Sequence, residues 1–457
     1  MAKDYYGHAV PASDLAELLK AELPERFAEK IPAVDYPWTY GGPLVEAAVA
    51  AATHADQPYE VASPSVQRVL DEFIDKLQAT PRLTVLLVVT DIDVEHPAMS
   101  QGYADPLGEE IAIAGVRLIR VENQPERFIE LEVPSAGYEV ERLDVVAYPG
   151  PAVLFVSTVE SIVGLDTRSS TARRRAAQLL AAIRLATNTS ARALLVVEGE
   201  PDRVHRYGPV ITPLRQPWFR YGHRPVTLGG RHVPSIEALA TLIGRLEDNA
   251  ADSTPVRLAI GRFGRSIDET ATGISDQVVD LAVGLEAAPA GTERTEIGLR
   301  LRLRAAQLLS NDGDSPEQIY SDVGGLYELR STIVHGGVLS ERSVERVITQ
   351  ITGAARARGS AERYALALDR WRDLLRRAIL ARIALQSAAV AWPIGPRRRP
   401  QFDVDGYLAS DTARAEWKRH IRDYWGERGL TSAIERASNL RLTLGGHEPD
   451  GGASPAS

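Results

Sequence analysis

The chain contains no cysteine, and this absence excludes several kinds of site. Without thiols there can be no disulfide, no thiolate nucleophile and no cysteine-ligated zinc site. The sequence also lacks any apolar run near the roughly 20 residues that a membrane-spanning helix needs. Its N-terminal segment has acidic residues throughout and no apolar central stretch. We therefore expect no signal peptide and no membrane partner, and we expect a cytoplasmic protein.

Positive charge is scarce in the first half of the chain. The formal net charge of the 457 residues is −9. Residues 251–385 carry 18 Arg and 18 Asp or Glu, and residues 386–457 carry 10 Lys or Arg and 9 Asp or Glu. The negative excess therefore lies in residues 1–250, which makes that half a poor nucleic-acid surface. If RNA is a partner, the C-terminal half is the better place for it.

Residues 1–250 predict an α+β domain. β-branched and leucine-rich runs at 82–95, 109–121, 127–134, 151–161, 191–200 and 224–233 predict strands. Apolar residues at helical spacing predict helices at 14–27, 65–78, 169–187 and 235–248. The role of this domain stays unknown from its residues alone.

Beyond residue 250 the strand pattern nearly vanishes. Successive helical patterns at 254–270, 275–287, 295–310, 315–335, 340–356 and 360–388 predict an all-α bundle over residues 251–389. The "LRLRLR" run alternates with period two, but its continuation "AAQLL" favours a helix. Residues 390–457 predict a proline-rich linker, one short helix at 411–429 and a disordered tail.

Three phrases in the helical segment carry a family resemblance. They are "VVDLAVGLEA", "LRLRAAQLL" and above all "LYELRSTIVHGG", which runs from Leu326 to Gly337. In these phrases and their order, residues 254–389 resemble the HEPN superfamily, and most closely its Apea-like group. The pattern of that family is an arginine, a polar residue and, a few positions on, a histidine. Arg330, Ser331 and His335 match it in that order.

The resemblance implies a dimerising helical module, often a metal-independent endoribonuclease without a cofactor, found in toxin–antitoxin systems and in phage defence by abortive infection. It leaves a second interpretation open, because some HEPN domains are inactive modules that dimerise or bind RNA or a protein. A third alternative is an antitoxin-like regulator. Apea-like proteins carry a distinct N-terminal region, so by analogy residues 1–250 would sense an unknown trigger or gate the nuclease.

Arg330 and His335 suit the chemistry of such an enzyme. Cleaving RNA without a metal requires a base for the 2′-OH, an acid for the leaving 5′-oxygen and a positive charge for the phosphorane. Histidine exchanges protons near neutral pH, and arginine holds phosphate oxygens with a planar, permanently charged fork. One histidine and one arginine are too few for all three roles. The hypothesis therefore requires a homodimer through the helix that carries Arg330 and His335, with RNA as substrate.

Helical geometry divides this motif between two faces. Arg330 and His335 lie about 140° apart on an ideal helix, so they do not share a face. Ser331 and His335, four residues apart, do share one, with Tyr327 one turn earlier. Ser331 can therefore orient the imidazole or contact the phosphate. Gly336 stands where a glycine ends a helix, which places His335 in the last turn.

The same helix also has a purely structural interpretation. A histidine before two glycines is a common helix end, and Arg330 could pair with Glu328 or with an acid on a neighbouring helix. Glu286 stands where the family often has an acid, and it could form a salt bridge with an arginine of this helix as a structural support. The opposite side of the helix should pack into the bundle through Leu326, Leu329 and Ile333.

The phrase "RWRDLLRRAILAR" predicts an amphipathic helix with many cations. A solvated face is the ordinary interpretation, and contact with the RNA backbone is the alternative. The candidate RNA-binding residues are Arg370, Arg372, Arg376 and Arg377. The expected core face is Trp371, Leu374, Leu375, Ala378 and Ile379.

The remaining charged clusters have mainly structural interpretations. "ARRRA" (173–175 for the arginines) and "PRRRP" (397–399) are expected to be solvated. "TDIDVEH" holds possible metal ligands in Asp91, Asp93, Glu95 and His96, but an acidic strand end is the favoured interpretation, and we expect no metal site. The chain has no phosphate-binding loop, dinucleotide fingerprint, zinc-protease motif or nucleophile elbow.

Overall fold

The computed structural model of the chain places β-strands and three helices first, followed by a run of further helices. It describes residues 48, 50–52, 54–55, 63–78, 82–94, 110–120, 151–160, 165–199, 210–213, 224–248, 254–268, 274–288, 296–337, 340–352, 360–387 and 404–436. No helix in these ranges combines the length and the apolar character needed to cross a bilayer.

Eight strands lie in the described residues and form two sheets. They are β1 (Arg82–Thr90), β2 (Ile92–Val94), β3 (Glu110–Ile113), β4 (Val116–Arg120), β5 (Ala152–Glu160), β6 (Arg192–Gly199), β7 (Val210–Pro213) and β8 (Val226–Leu228). The larger sheet is antiparallel throughout, in the order β3-β4-β5-β1-β6-β7, and β2 pairs with β8 in parallel. Every residue of β1 except Arg82 is buried, which explains its unbroken apolar sequence.

Three α-helices have defined bounds among the described residues of the first 250. They are α1 (Pro64–Gln78), α2 (Leu165–Thr187) and α3 (Val233–Asp248). Helix α2 packs across β1 and β5, and α3 packs against α2. The small buried side chains of Ala172 and Ala176 on α2 allow its backbone to approach the sheet closely.

Six helices follow between residues 254 and 387 in the described part of the chain. They are α4 (Thr254–Asp268), α5 (Ile274–Ala287), α6 (Ile297–Leu309), α7 (Pro316–Val334), α8 (Glu341–Thr352) and α9 (Ser360–Ser387). Helix α9 contacts α4, α5, α6, α7 and α8, so it is the centre of this group. Trp371, Leu374, Leu375, Ala378 and Ile379 are all buried, which confirms the core face expected for α9.

The C-terminal segment contributes more to the fold than the sequence indicated. Residues 404–436 contain α10 (Val404–Ala409), α11 (Asp411–Gly426) and α12 (Thr431–Ile434), whereas one helix was expected. Helix α11 packs on α9, and Trp417 and Trp425 are fully buried. The indole N–H of Trp425 donates to the carbonyl of Leu380 over 3.0 Å. These contacts make the segment part of the core.

The mixture of helices with an antiparallel sheet confirms the α+β expectation at that general level. The predicted strands at 151–161 and 191–200 are confirmed, as is the helix over "LRLRLR". The segments at 82–95 and 109–121 each contain two strands where one was expected, and the segment at 224–233 is a strand only over Val226–Leu228 before helical structure begins. Strand β7 was not predicted. The predictions at 14–27 and 127–134, and the disordered tail, lie outside the described residues. The division at residue 250 stays a prediction, because one continuous core cluster joins the sheet to the bundle.

Candidate active site

Helix α7 carries the motif and has defined ends. At its start, the hydroxyl of Ser315 accepts a hydrogen bond from the backbone N–H of Gln318 over 3.2 Å, and Pro316 takes the first helical position. Both features are common at helix N-termini, because the first amide groups have no partner inside the helix. The start of α7 is therefore determined locally.

The end of α7 confirms the predicted glycine stop. Gly336 has φ +74°, a left-handed conformation that is unstrained only for glycine. Its N–H donates to the carbonyl of Ile333 over 3.0 Å, and the N–H of Gly337 donates to that of Thr332 over 2.9 Å. This hydrogen-bond pattern is the Schellman motif. His335 is consequently the C-cap residue, and it is exposed at the tip of the helix.

Arg330 faces the interior of the bundle rather than the tip of the helix. Its guanidinium Nη2 lies 3.5 Å from Oε1 of Glu286 on α5, and the group lies 5.6 Å from the centre of the Tyr327 ring. The Arg330 side chain is 22% exposed. The salt bridge expected between Glu286 and an arginine of this helix is confirmed. The same ion pair holds Arg330 away from the direction of His335.

Burial has the larger of two opposing effects on the pKa of Glu286. Removal from water raises the pKa of the Glu286 carboxyl, and the positive charge of Arg330 opposes this by lowering the pKa. Removing Arg330 would therefore leave a half-buried carboxylate without its counter-charge. Glu286 acts on Arg330 and does not itself reach the tip of the helix.

Tyr327 and Glu328 connect α7 to its neighbours. The Tyr327 ring lies against Gly298 of α6, where an added Cβ would come within 2.6 Å of the ring. Glu328 forms an ion pair with Arg346 of α8, so it is not the partner of Arg330. Both residues position the motif helix and keep their supporting roles.

Ser331 and His335 share a side of the helix end, as predicted. The N–H of His335 donates to the carbonyl of Ser331 over 3.1 Å. Among the residues that the structure describes, however, no hydrogen bond joins the Ser331 hydroxyl to the imidazole. The Ser331 side chain is half-buried, and the His335 side chain is exposed. The buried side of the helix is confirmed by Leu326, Leu329 and Ile333, which pack in or against the core.

The predicted RNA-binding arginines are buried, so that prediction is wrong. Arg370, Arg372, Arg376 and Arg377 are at most 4% exposed. Such side chains can neither form a solvated face nor reach an RNA backbone. They belong to a network of buried ion pairs around α9.

Asp314 is the main acceptor of this network. Its carboxylate accepts hydrogen bonds from Nη1 and Nη2 of Arg370 over 2.8 and 2.7 Å, and it also pairs with Arg377. Asp322 accepts from Nε of Arg370 over 2.8 Å. Burial lowers the pKa of Arg370, but the hydrogen bonds and charges of Asp314 and Asp322 outweigh it and raise the pKa. Arg370 therefore remains charged inside the protein.

Arg372 and Arg376 connect α9 to the N-terminal half of the chain. Nη1 of Arg376 donates to the carbonyl of Leu185, at the end of α2, over 3.1 Å. Arg372 pairs with Asp369, whose carboxylate also lies 3.3 Å from Arg224. Burial lowers the pKa of Arg372 to about 10, despite the opposing charge of Asp369. The two halves of the chain therefore meet through buried charges.

The "ARRRA" run is partly solvated and partly paired. Arg173 pairs with the buried Glu198 of β6, and Arg174 lies 3.1 Å from Asp248 of α3. Arg175 donates to the carbonyl of Thr158 over 3.4 Å. The run therefore fastens α2 to the sheet and to α3. The "PRRRP" run lies outside the described residues.

The acidic strand end has two described carboxylates with separate roles. Asp91 is buried, has φ 61°, and accepts a hydrogen bond from the hydroxyl of Ser190 over 2.9 Å. Asp93 lies 3.1 Å from Nε of Arg120. These contacts fit the structural interpretation. Glu95 and His96 lie outside the described residues, and within the described ranges no group of three or more potential ligands could hold a metal ion.

Comparison of the chain with protein-family models, with curated proteins and with solved structures gave no match. The candidate site therefore rests on the geometry of α7 and on the resemblance carried by its residues.

Proposed function

We propose that the chain is a metal-independent endoribonuclease of the Apea-like HEPN type that acts as a homodimer. The observation that carries the proposal is the end of α7, where an exposed His335 follows Arg330 on one rigid helix. An exposed imidazole at a well-defined helix end is available to substrate. Ser331 lies on the same side and can contact a phosphate oxygen.

The proposed reaction uses the RNA's own 2′-hydroxyl as nucleophile. One His335 removes the proton from the 2′-OH, whose oxygen attacks the phosphorus. The bond from phosphorus to the 5′-oxygen breaks, and a second histidine protonates that leaving oxygen. The products are a 2′,3′-cyclic phosphate and a 5′-hydroxyl. Arg330 stabilises the charge on the phosphorane, for which it exchanges part of its contact with Glu286 for the phosphate.

The reaction needs two histidines, and the surface of α6 and α7 offers a place for a second copy. Large apolar side chains are exposed on these two helices at Ile297, Leu299, Leu303 and Val334. Leu299 and Leu303 stand four residues apart and share a side of α6, and exposed apolar side chains that lie together are typical of protein interfaces. Val334 is 52% exposed and directly precedes His335. A two-fold interface here would bring both histidines to one cleft.

Val334→Arg should weaken the homodimer and RNA cleavage together. Two arginines facing each other across a two-fold axis repel, and like charges in an interface cost several kcal/mol, so we expect at least about a tenfold rise in the dimer dissociation constant. Sedimentation equilibrium measures it. Leu258→Arg is the matched control, because Leu258 is a similarly exposed apolar residue on α4. A wild-type chain that cleaves RNA as a monomer would contradict the dimer.

An RNase assay in EDTA tests the proposed activity itself. Cleavage of RNA should survive the chelator, and DNA should be spared because it has no 2′-hydroxyl. Mass spectrometry should find cyclic phosphate and 5′-hydroxyl ends. Cleavage that stops in EDTA, or products with 5′-phosphates, would show a different chemistry.

A second candidate function is a catalytically inactive HEPN module that dimerises or binds RNA or a protein. The ion pair between Arg330 and Glu286 favours it, because the guanidinium is already occupied. The two functions differ in one result. An inactive module would bind RNA without cleaving it, and charge-preserving Arg330→Lys would leave that binding almost unchanged.

The N-terminal half is the proposed sensor or gate for the nuclease, in phage defence or toxin–antitoxin biology within the cytoplasm. Two buried contacts support this proposal, because they join α9 to the first half of the chain. Arg376 contacts Leu185, and Asp369 contacts Arg224. A trigger bound by residues 1–250 could act on the bundle through these contacts. Expression of the wild-type chain should then be more toxic in the presence of the trigger.

A further inference from the structure

A cavity lies at the opposite end of the α6–α7 pair from His335. Its volume is about 500 Å³, within the range of small-molecule sites. Elements α6, α9, α11 and α12 and the loop 310–313 supply its walls. Helix α7 starts beside that loop and is about 28 Å long, so the cavity is remote from the candidate active site.

The cavity is lined by more cations than carboxylates. The cations are Arg377, Lys418, Arg422 and Arg436, and the carboxylates are Asp312 and Glu435. Both carboxylates are exposed, and so is Arg422, so water screens these three charges. The charged residues of the lining are therefore net positive, although the net charge of the whole chain is −9.

Three of these cations have no carboxylate partner in the described part of the chain. Arg377 is neutralised by Asp314 and Asp373, whereas no ion pair forms at Lys418, Arg422 or Arg436 within the described residues. Lys418 and Arg422 lie near one another on α11 without an ion pair, and like charges so placed repel one another. An anion bound between them would remove this repulsion.

Lys418 is the cavity cation whose surroundings are best defined. Its ammonium group donates to the carbonyl and the hydroxyl of Ser310 over 2.8 and 2.7 Å. Burial lowers its pKa, and the neighbouring charges of Arg414 and Arg422 lower it further. Burial likewise lowers the pKa of Arg436, and the charge of Arg370 adds to the effect, while the nearby carboxylates of Asp314, Asp373 and Asp322 oppose it. These cations are therefore held where a negative ligand would stabilise their charged forms.

Part of the remaining lining is apolar, beside the polar Ser310, Asn311 and Thr431. Leu308, Leu309, Ala381, Ile421 and Ile434 form that part of the wall. A lining with one cationic and one apolar part suits a ligand that has a charged group at one end and a ring at the other. The volume suits a molecule larger than a free phosphate ion.

We propose that this cavity binds a phosphate-bearing small molecule of nucleotide size, with its phosphates on Lys418, Arg422 and Arg436 and its ring against the apolar wall. Arginine and lysine are the side chains that recognise phosphate oxygens best. The proposal goes beyond the endoribonuclease activity and does not depend on it. Binding here would leave the residues at His335 untouched.

Calorimetric titration of the full chain with ATP, inorganic pyrophosphate and adenosine tests the cavity. ATP should bind, pyrophosphate should bind more weakly because it lacks the ring, and adenosine should not bind. Arg422→Gln and Arg436→Gln together should weaken ATP binding at least about tenfold, because a hydrogen bond to a charged group contributes roughly 1.5–3 kcal/mol. Raising the salt concentration should weaken it as well.

Arg419→Gln is the matched control, since Arg419 is exposed on the same helix but does not line the cavity. It should leave the affinity for ATP unchanged. Arg422→Gln alone guards against misfolding, because Arg422 is exposed, and a thermal melt checks its fold. The proposal is overturned if the wild type binds neither ATP nor pyrophosphate, if adenosine binds as tightly as ATP, or if Arg419→Gln weakens binding as much as Arg422→Gln.

Discussion

His335→Ala is expected to reduce metal-independent RNA cleavage by about 10²–10⁴-fold, the contribution usual for a positioned general acid or base. In the proposed dimer the substitution removes both proton-transfer groups at once, so the loss should lie at the upper end. The free energy of unfolding should change by less than about 0.5 kcal/mol, because an exposed side chain at a helix end contributes little packing. Single-turnover cleavage in EDTA and chemical denaturation measure the two quantities.

The control for this experiment is His54→Ala, which removes another exposed histidine and should retain full activity. Mixing His335→Ala chains with wild-type chains gives a further test. If each chain supplies one histidine to a shared cleft, the mixed dimers should be impaired as well. Unchanged cleavage by His335→Ala would contradict the proposed role of His335, whereas RNA binding without cleavage by the wild type would leave the binding module.

Arg330→Lys separates two properties of Arg330, which are its positive charge and its planar set of hydrogen-bond donors. Lysine can keep the charge beside Glu286, but it cannot donate two parallel hydrogen bonds to a phosphate. If Arg330 only supports Glu286, this variant should cleave RNA at the wild-type rate. If it also stabilises the phosphorane, the rate should fall while the fold survives.

Asp314→Asn should lower the free energy of unfolding by about 3–5 kcal/mol, the usual effect of removing one partner of a buried ion pair. The Asp314 side chain is fully buried and pairs with Arg370 and Arg377, which are each 1% exposed. An amide of the same shape would leave the two guanidinium groups without their main counter-charge. Denaturant unfolding measures the loss.

The control for this effect is Glu160→Gln, which removes the charge from a surface pair. Glu160 lies 3.7 Å from Arg82, and both side chains are well exposed. Exposed pairs contribute at most about 1 kcal/mol, so the change should be small. Equal losses in the two variants would mean that the buried network contributes no more than a surface pair.

The elements were largely predictable because their signals are local. The unbroken apolar run of β1 and the helical spacing of α2 require no distant partner to be recognised. Strand β7 and the C-terminal helices were harder to predict from the sequence. Strand β7 has only four residues, too few for a periodic signal. The burial of Trp417 and Trp425 depends on contacts with α9, which a sequence pattern does not reveal.

The candidate site was predictable in part. The position of Gly336 predicted the end of α7, and the position of Glu286 suggested a salt bridge with this helix. Sequence reasoning missed Asp314, Asp322 and Asp373, although Asp373 stands three and four residues before Arg376 and Arg377. An acid at that spacing beside two arginines was a signal that they are paired rather than free.

The sequence by itself determined where α7 ends and which side of it carries Ser331 and His335, because both follow from glycine's backbone freedom and from helical spacing. Only the tertiary structure decided whether the arginines on α9 are exposed or buried in ion pairs. Their carboxylate partners include Asp314, 56 residues away from Arg370, and that distance is closed by folding alone. A charged side chain can be buried when folding brings such a partner into contact with it. The local sequence does not show whether this contact forms.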